Sequence, residues 1–278
     1  MTTHWADIPP PTPPRAGIVG FSLGVLRFLA IAITIYSLLV VLLLARLIER
    51  PLGKRALSPQ IVQLASRISL FFMGMGLKVI GEPMRHSGAI VANHASWLDI
   101  FTLSAAARIC FVSKAEVRKW PLIGFIAQAT GTVFIERKSS HAKQQKELFH
   151  QRLLADDPLL FFPEGTSTDA CRILKFKSTL FAAFFEPDLA DKLWIQPATV
   201  IYHAPEGADP RLYGWWGDME FAPHFMMVLT ARRNGQVEIV FHDPVRVSDF
   251  SDRKALAAYC ESVIRKTFEQ RKKRLPDI

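Results

Sequence analysis

The stretch "GAIVANHASWLDIFTLSAA", residues 88–106, decides how the chain is read. It opens with "GAIVAN" (88–93), an apolar run too short for a helix and continuous enough for a strand buried on both faces. From residue 97 to 107 the apolar residues fall in a helical pattern. His94 and Asp99 stand where the strand hands over to the helix. Strand followed by helix is the repeating unit of an α/β sheet, and such sheets bind ligands at the carboxyl ends of their strands.

The same texture continues downstream. "RICFVS" (108–113), "GTVFIE" (131–136), "PLLFFP" (158–163) and "LWIQPATVIY" (193–202) read as further buried strands. Stretches 121–129, 140–155 and 174–186 carry helical patterns between them. The fold class is α/β: a mixed, largely parallel sheet flanked by helices. Near the end, "MMVLTARRNGQVEIVFHDPV" (226–245) reads as a hairpin turning at Asn234-Gly235. Residues 252–275 read as an amphipathic helix with Leu256, Tyr259, Val263 and Phe268 on its apolar face and a basic end.

The residues before this sheet are different. "IPPPTPP" (8–14) supports neither helix nor ladder, and an extended tail is expected. Phe28 to Ala45 holds no charged residue, which predicts a membrane-embedded helix of ~27 Å, close to the ~30 Å hydrocarbon thickness. Arg46, Arg50, Lys54 and Arg55 follow it, against Arg15 and Arg27 before it, so the remainder is expected on the cytoplasmic face of the inner membrane. A second apolar segment, 61–80, is broken by Arg67 and reads as an interfacial helix or one packed on the main domain, with a helical hairpin in the membrane as the alternative. The expected organisation is a Pro-rich tail (1–25), membrane and amphipathic helices (26–80), the α/β domain (81–250) and a basic C-terminal helix (251–278).

Half of the 278 residues are hydrophobic and the net charge is +9. A basic, apolar chain suits an anionic membrane surface. It shows no zinc spacing and no RNA-binding signature, so nucleic acid is not an expected partner. The three cysteines, Cys110, Cys171 and Cys260, are widely spaced, and neither a disulfide framework nor a metal site follows from them.

Three polar clusters sit at predicted strand ends: His94 with Asp99, Arg137 after "GTVFIE", and Glu164 in "FPEGTS". A carboxylate that bonds an imidazole Nδ1–H fixes the tautomer and leaves Nε2 as a base. The spacing of His94 and Asp99 allows this across a turn, but it equally allows Asp99 or Ser96 to cap the helix with His94 at the surface. Pro163 and Gly165 make a rigid turn in which backbone N–H groups can approach a ligand. Arg137 is a cation suited to a phosphate or carboxylate. A separate motif, "GFSLG" (20–24), has the form of a serine nucleophile elbow around Ser22. That reading requires a preceding strand, and the same residues are a small-residue helix-packing pattern.

Taken in order, "NHASWLD", "GTVFIER", "FPEGTS" and "IQPATVIY" resemble the four sequence blocks of the glycerolipid acyltransferase family, and the likeness covers roughly residues 85–205. "FVSKAEVRKWPLIGFIA" (111–127) and "LKFKSTLF" (174–181) are similar to that family's intervening segments. The resemblance implies that His94 and Asp99 are the H-x4-D catalytic pair. It implies that Arg137, Glu164, Gly165 and Thr166, helped by Lys114 or Lys177, bind the acceptor. It links Pro197 to the acyl donor. Two departures bear on the subfamily: Gln196 and Ala198 flank Pro197, and Ser178-Thr179 replace a common glycine.

The implied reaction moves an acyl group from acyl-CoA or acyl carrier protein to the hydroxyl of lysophosphatidic acid, with no cofactor and no metal. The alternatives are the same chemistry on another lysolipid, such as lyso-ornithine lipid, and a serine esterase using Ser22.

Overall fold

Short apolar runs become strands and longer periodic stretches become helices. The structure is a computed structural model that describes residues 9–11, 17–52, 57–120, 122–135, 151–153 and 159–273. In chain order the elements are α1 (Gly17–Leu52), α2 (Ser58–Met73), β1 (Gly76–Ile80), β2 (Gly88–Ala92), α3 (Asp99–Ala106), β3 (Cys110–Lys114), α4 (Ile123–Thr130), β4 (Val133–Ile135) and β5 (Leu159–Phe161). Then follow β6 (Trp194–His203), α5 (Phe221–Thr230), β7 (Gln236–Phe241), β8 (Val245–Arg246) and α6 (Arg253–Lys273), with a 3-10 turn at Ser178–Phe185 before β6.

The strands form one sheet in the order β1-β7-β6-β2-β5-β3-β4, with β8 also paired to β6. Five of the seven pairings are parallel; β6 runs antiparallel to β7 and to β8. The mixed, largely parallel sheet predicted from the strand–helix alternation is therefore present. Alternate residues of β2 face opposite cores, as the two-residue period of a strand requires. Ile90 and Ala92 join Leu103, Val200 and Val228, under α3 and α5. Ala89 and Val91 join Phe161, Ile195 and Ile264, under α6. A fully buried Val, Leu, Ile or Phe among them contributes about 1.5–3 kcal/mol, and each Ala less.

Several local expectations are corrected. The apolar segment 61–80 is not one helix: α2 ends at Met73, where Gly74 takes a left-handed φ of 70°, and Gly76–Ile80 is strand β1 on the sheet edge. Residues 226–245 are not a hairpin, because "MMVLT" closes helix α5, and β7 pairs with β1 and β6 instead. Asn234 serves there as a fastener, its amide donating to Met73 O and Val228 O. On α6 the buried line is Leu256, Cys260, Ile264 and Phe268, while Tyr259 faces out. Side chains four apart lie on one helical face, and the expected set had mixed two neighbouring faces. Stretch 174–186 yields a 3-10 turn, and helix 140–155 falls mostly outside the described residues. Ser22 lies inside α1, with no strand before it among the described residues, so the elbow reading fails. Gly20 and Gly24 of the same motif are buried, and a Cβ on Gly24 would meet Thr230 Cγ2 at 2.6 Å. This is the close packing that small residues permit.

Helix α1 has two unlike sides. One is held on the domain from Gly24, against Thr230, to Arg46, which donates to Gln128 O. Arg27 donates to Leu229 O and Ala231 O, and Phe28 meets Phe225 edge-on at 6.3 Å. The other side carries exposed Phe21, Leu26, Leu29, Ile33, Val40 and Leu44 along its length, and α2 adds exposed Phe71. Water does not support so long an apolar stripe, whereas lipid does. Replacing Leu26, Ile33 and Leu44 together by Lys should cut co-sedimentation with anionic vesicles by tenfold or more (about 1.4 kcal/mol) while leaving the far-UV circular dichroism unchanged.

Candidate active site

Strand β2 stops pairing through its backbone at Ala92, opposite Ala198 of β6. The next rung is made by a side chain. Asn93 Nδ2 donates to Val200 O at 2.9 Å and Val200 N donates to Asn93 Oδ1 at 2.8 Å, so the amide stands in for a peptide group. The main chain is thereby free to leave the sheet, and His94 is delivered at the carboxyl end of β2.

Asp99 closes the turn. Its carboxylate is fully buried. His94 Nδ1 lies 2.7 Å from Oδ2, and the backbone N–H groups of Ala95 (2.8 Å) and Ser96 (3.1 Å) donate to the same oxygen. Tyr202 Oη donates to the other oxygen, Oδ1, at 2.7 Å. An oxygen that already accepts two N–H bonds is the acceptor toward His94 as well, so Nδ1 carries the proton and Nε2 keeps its lone pair. Nε2 makes no hydrogen bond among the described residues. The ring is stacked on Phe162 at 4.0 Å and 11°, and its side chain is 21% exposed, so one edge is accessible. The His94–Asp99 bond and the capping of the helix turn are compatible, because both are made on one carboxylate oxygen. Ser96 is not the cap: its Oγ is buried without a partner.

The "FPEGTS" turn follows β5, the neighbour of β2. Glu164 points inward and is 1% exposed. His94 N donates to its Oε1 at 2.7 Å and Leu174 N to its Oε2 at 2.6 Å. Both oxygens are thus engaged in holding the turn, which leaves Gly165, exposed Thr166 and Lys177 to face outward. Burial pushes the Glu164 carboxyl up to about 8, against the downward pull of those two N–H groups. Gly165 has φ +74°, and Lys177 Nζ lies 2.7 Å from where a Cβ would be, so a larger residue at 165 would be strained and would displace the ammonium. Lys177 N donates to Pro163 O, which ties the two segments together.

Thr168 braces the His94 loop from behind, its N–H and hydroxyl both donating to His94 O, and Trp215 N donates to Ala95 O. Lys114 is exposed at the carboxyl end of β3, beside Ile135, the last residue of β4. The carboxyl ends of β2, β5 and β3 therefore bring His94, the 164–166 turn, Lys177 and Lys114 to one edge of the sheet. Arg137 lies outside the described residues.

Pro197 is buried within β6 and paired in register with Val91. Val200 points its peptide groups at β2, so by alternation Pro197 faces the other side, where its carbonyl accepts from His242 N. That is the gap between β8 and β7, the place in a central strand where a missing N–H leaves no ladder bond unmade. The unusual Gln196 is also accounted for. Its Nε2 donates to Glu82 O and His242 O, and its Oε1 accepts from Met84 N.

Sequence reasoning missed Tyr202, Thr168, Phe162 and the bridging use of Glu164. A tyrosine ending a buried strand was the available signal, since a buried phenol seeks an acceptor. Glu164 gives a test. Folded, it keeps its proton to about pH 8; unfolded, it loses it near its ordinary 4.5. Between those values the folded state holds more protons, so this group's contribution to stability falls as pH rises. The Tm should decline between pH 5 and 8, and Glu164→Gln should flatten that decline; an equal slope in the variant would remove Glu164 as its source.

Residues 77–201 match the acyltransferase family model. The chain is 51% identical to a lyso-ornithine lipid O-acyltransferase of Rhodobacter capsulatus over 95% of its own length and 96% of the relative's. It is 36% identical to a lyso-ornithine lipid O-acyltransferase of Brucella abortus over 72% and 78% of the two chains. A 1-acyl-sn-glycerol-3-phosphate acyltransferase of Neisseria gonorrhoeae is 34% identical over 41% of this chain and 46% of that one. Among solved structures, the 1-acyl-sn-glycerophosphate acyltransferase PlsC of Thermotoga maritima is similar in fold, with a TM-score of 0.64 at 20% identity, covering 94% of this chain and 99% of that one.

Proposed function

Because the chain belongs to the acyltransferase family, an O-acyltransferase that acts on a lysolipid, we propose that its acceptor is the hydroxyl of lyso-ornithine lipid. One observation carries this choice: the near full-length 51% identity to the Rhodobacter capsulatus lyso-ornithine lipid O-acyltransferase, against partial coverage for the Neisseria gonorrhoeae relative. Lysophosphatidic acid, the acceptor expected from the four sequence blocks, is the second reading.

In the proposed reaction the acceptor hydroxyl is the nucleophile. His94 Nε2 takes its proton as the oxygen attacks the carbonyl carbon of an acyl thioester on CoA or acyl carrier protein. The C–O bond forms, the C–S bond breaks, and the imidazolium returns its proton to the thiolate. Asp99 holds the ring and stabilises the imidazolium. The reading calls for neither a metal nor a covalent enzyme intermediate. Lys114, Lys177 and Arg137, with the backbone of Gly165 and Thr166, hold the acceptor's acidic group. On an ornithine head that group is a carboxylate, and on lysophosphatidic acid a phosphate; a guanidinium or ammonium pairs with either. Pro197 acts on the donor side through the strand it shapes. The exposed apolar face of α1 seats the enzyme on the inner membrane with the domain on the cytoplasmic side, where the lipid acceptor resides.

The test offers purified enzyme both lysolipids, each with labelled acyl-CoA and acyl carrier protein. The expected result is a kcat/KM at least tenfold higher for lyso-ornithine lipid. The opposite ranking overturns the acceptor and leaves the class standing. His94→Ala should lower kcat on the order of a thousandfold with either acceptor. Ser22→Ala should leave it unchanged.

A further inference from the structure

Among the described residues, the buried Tyr202 hydroxyl is the one side-chain polar group on the sheet that bonds the His94–Asp99 pair. Tyr202 sits near the end of β6, five residues past Pro197, and is 2% exposed. Its Oη donates to Asp99 Oδ1 at 2.7 Å, the oxygen that does not touch His94. The phenol's other polar neighbour is the Thr102 hydroxyl at 3.3 Å. The ring packs against Tyr213, with centroids 5.7 Å apart. Burial together with Asp99 holds Tyr202 well above the ordinary phenol range, so it remains a donor throughout the working pH range.

We propose that Tyr202 is a positioning residue for catalysis, acting through Asp99 on His94; this rests on His94 being the base. Two consequences of the geometry carry the proposal. A carboxylate can rotate about its Cβ–Cγ bond. The backbone donors and His94 all engage Oδ2, so Tyr202 is the only described group that bonds Oδ1 and fixes the plane of the carboxylate. The second consequence is electrostatic. A donor on Oδ1 draws charge away from Oδ2 and moderates its hold on the Nδ1 proton of the imidazole. The titratable groups around this oxygen pair are His94 on its own loop, Glu164 on the loop after β5, and Tyr202 with Tyr213 behind it.

Tyr202→Phe removes the hydroxyl and keeps the ring. The expected result is a roughly 5- to 100-fold fall in kcat, the range for leaving one buried acceptor without its donor. KM for the lysolipid should stay within twofold, and the acid limb of the kcat/KM profile, where His94 must be neutral, should move to higher pH. In a His94→Ala background the same change should have no further effect on the residual rate. Thr102→Val, which removes a hydroxyl beside Tyr202 without touching the Asp99 carboxylate, should change kcat less than threefold. A Tyr202→Phe enzyme with native kcat and an unmoved profile overturns the proposal, as does an equal loss in the presence and absence of His94. A Tyr202→Phe chain that does not fold also overturns it, because the hydroxyl would then be structural. Full activity in His94→Ala alone would instead remove the reading of His94 as base.

Discussion

The site is organised by one buried carboxylate. Asp99 accepts from an imidazole, two backbone N–H groups and a phenol, so both of its buried oxygens are engaged. An ionised group taken out of water is tolerated only when it is met in this way. The requirement shapes everything near it. The chain must turn within five residues of β2 so that Ala95 and Ser96 present their N–H groups. Strand β6 must run past the end of β2 so that Tyr202 arrives from the sheet. Glu164 supports the arrangement one step back, holding the backbone of His94 rather than its ring.

Much of this was legible from residue order alone. The strands of the central sheet announced themselves as short apolar runs, and the polar residues at their ends marked the working edge. The readings that failed did so where one local pattern fits two structures. Asn234-Gly235 has the residues of a tight turn, but the apolar run before it, 226–230, finishes a helix, because its partners come from α1 and the sheet rather than from β7. Segment 61–80 is mostly apolar, and the left-handed Gly74 marks where helix gives way to edge strand. Glu164, which the family resemblance links to the acceptor, has a carboxylate that accepts from two backbone N–H groups. Its inward turn depends on the N–H of Leu174, ten residues on, which no local pattern reveals.

The membrane-seeking part is not appended to the domain but laid along it. α1 contributes Ile31 to the same core as Ile90 and Leu103, while its outer face presents apolar side chains. A helix with one side packed on the domain and the other exposed and apolar sets the orientation of that apolar face relative to the sheet. The apolar groove of about 640 Å³ between α1 and α2 is lined by Val41, Leu44, Ile48 and Leu64, and none of the His94 site residues lines it.

The fasteners of the His94 loop also join parts of the chain that are far apart in order. Asn93 is tied to Val200, Asp99 to Tyr202 and His94 to Glu164, across 107, 103 and 70 residues. Links of such long range form late, because the intervening chain must first lose the freedom that loop closure demands. The histidine therefore acquires its oriented tautomer only when β6 has docked beside β2. A chain with its helices formed but its sheet unfinished would carry His94 and Asp99 and still lack their paired geometry. The oriented histidine is thus a product of sheet closure rather than of the local sequence around it.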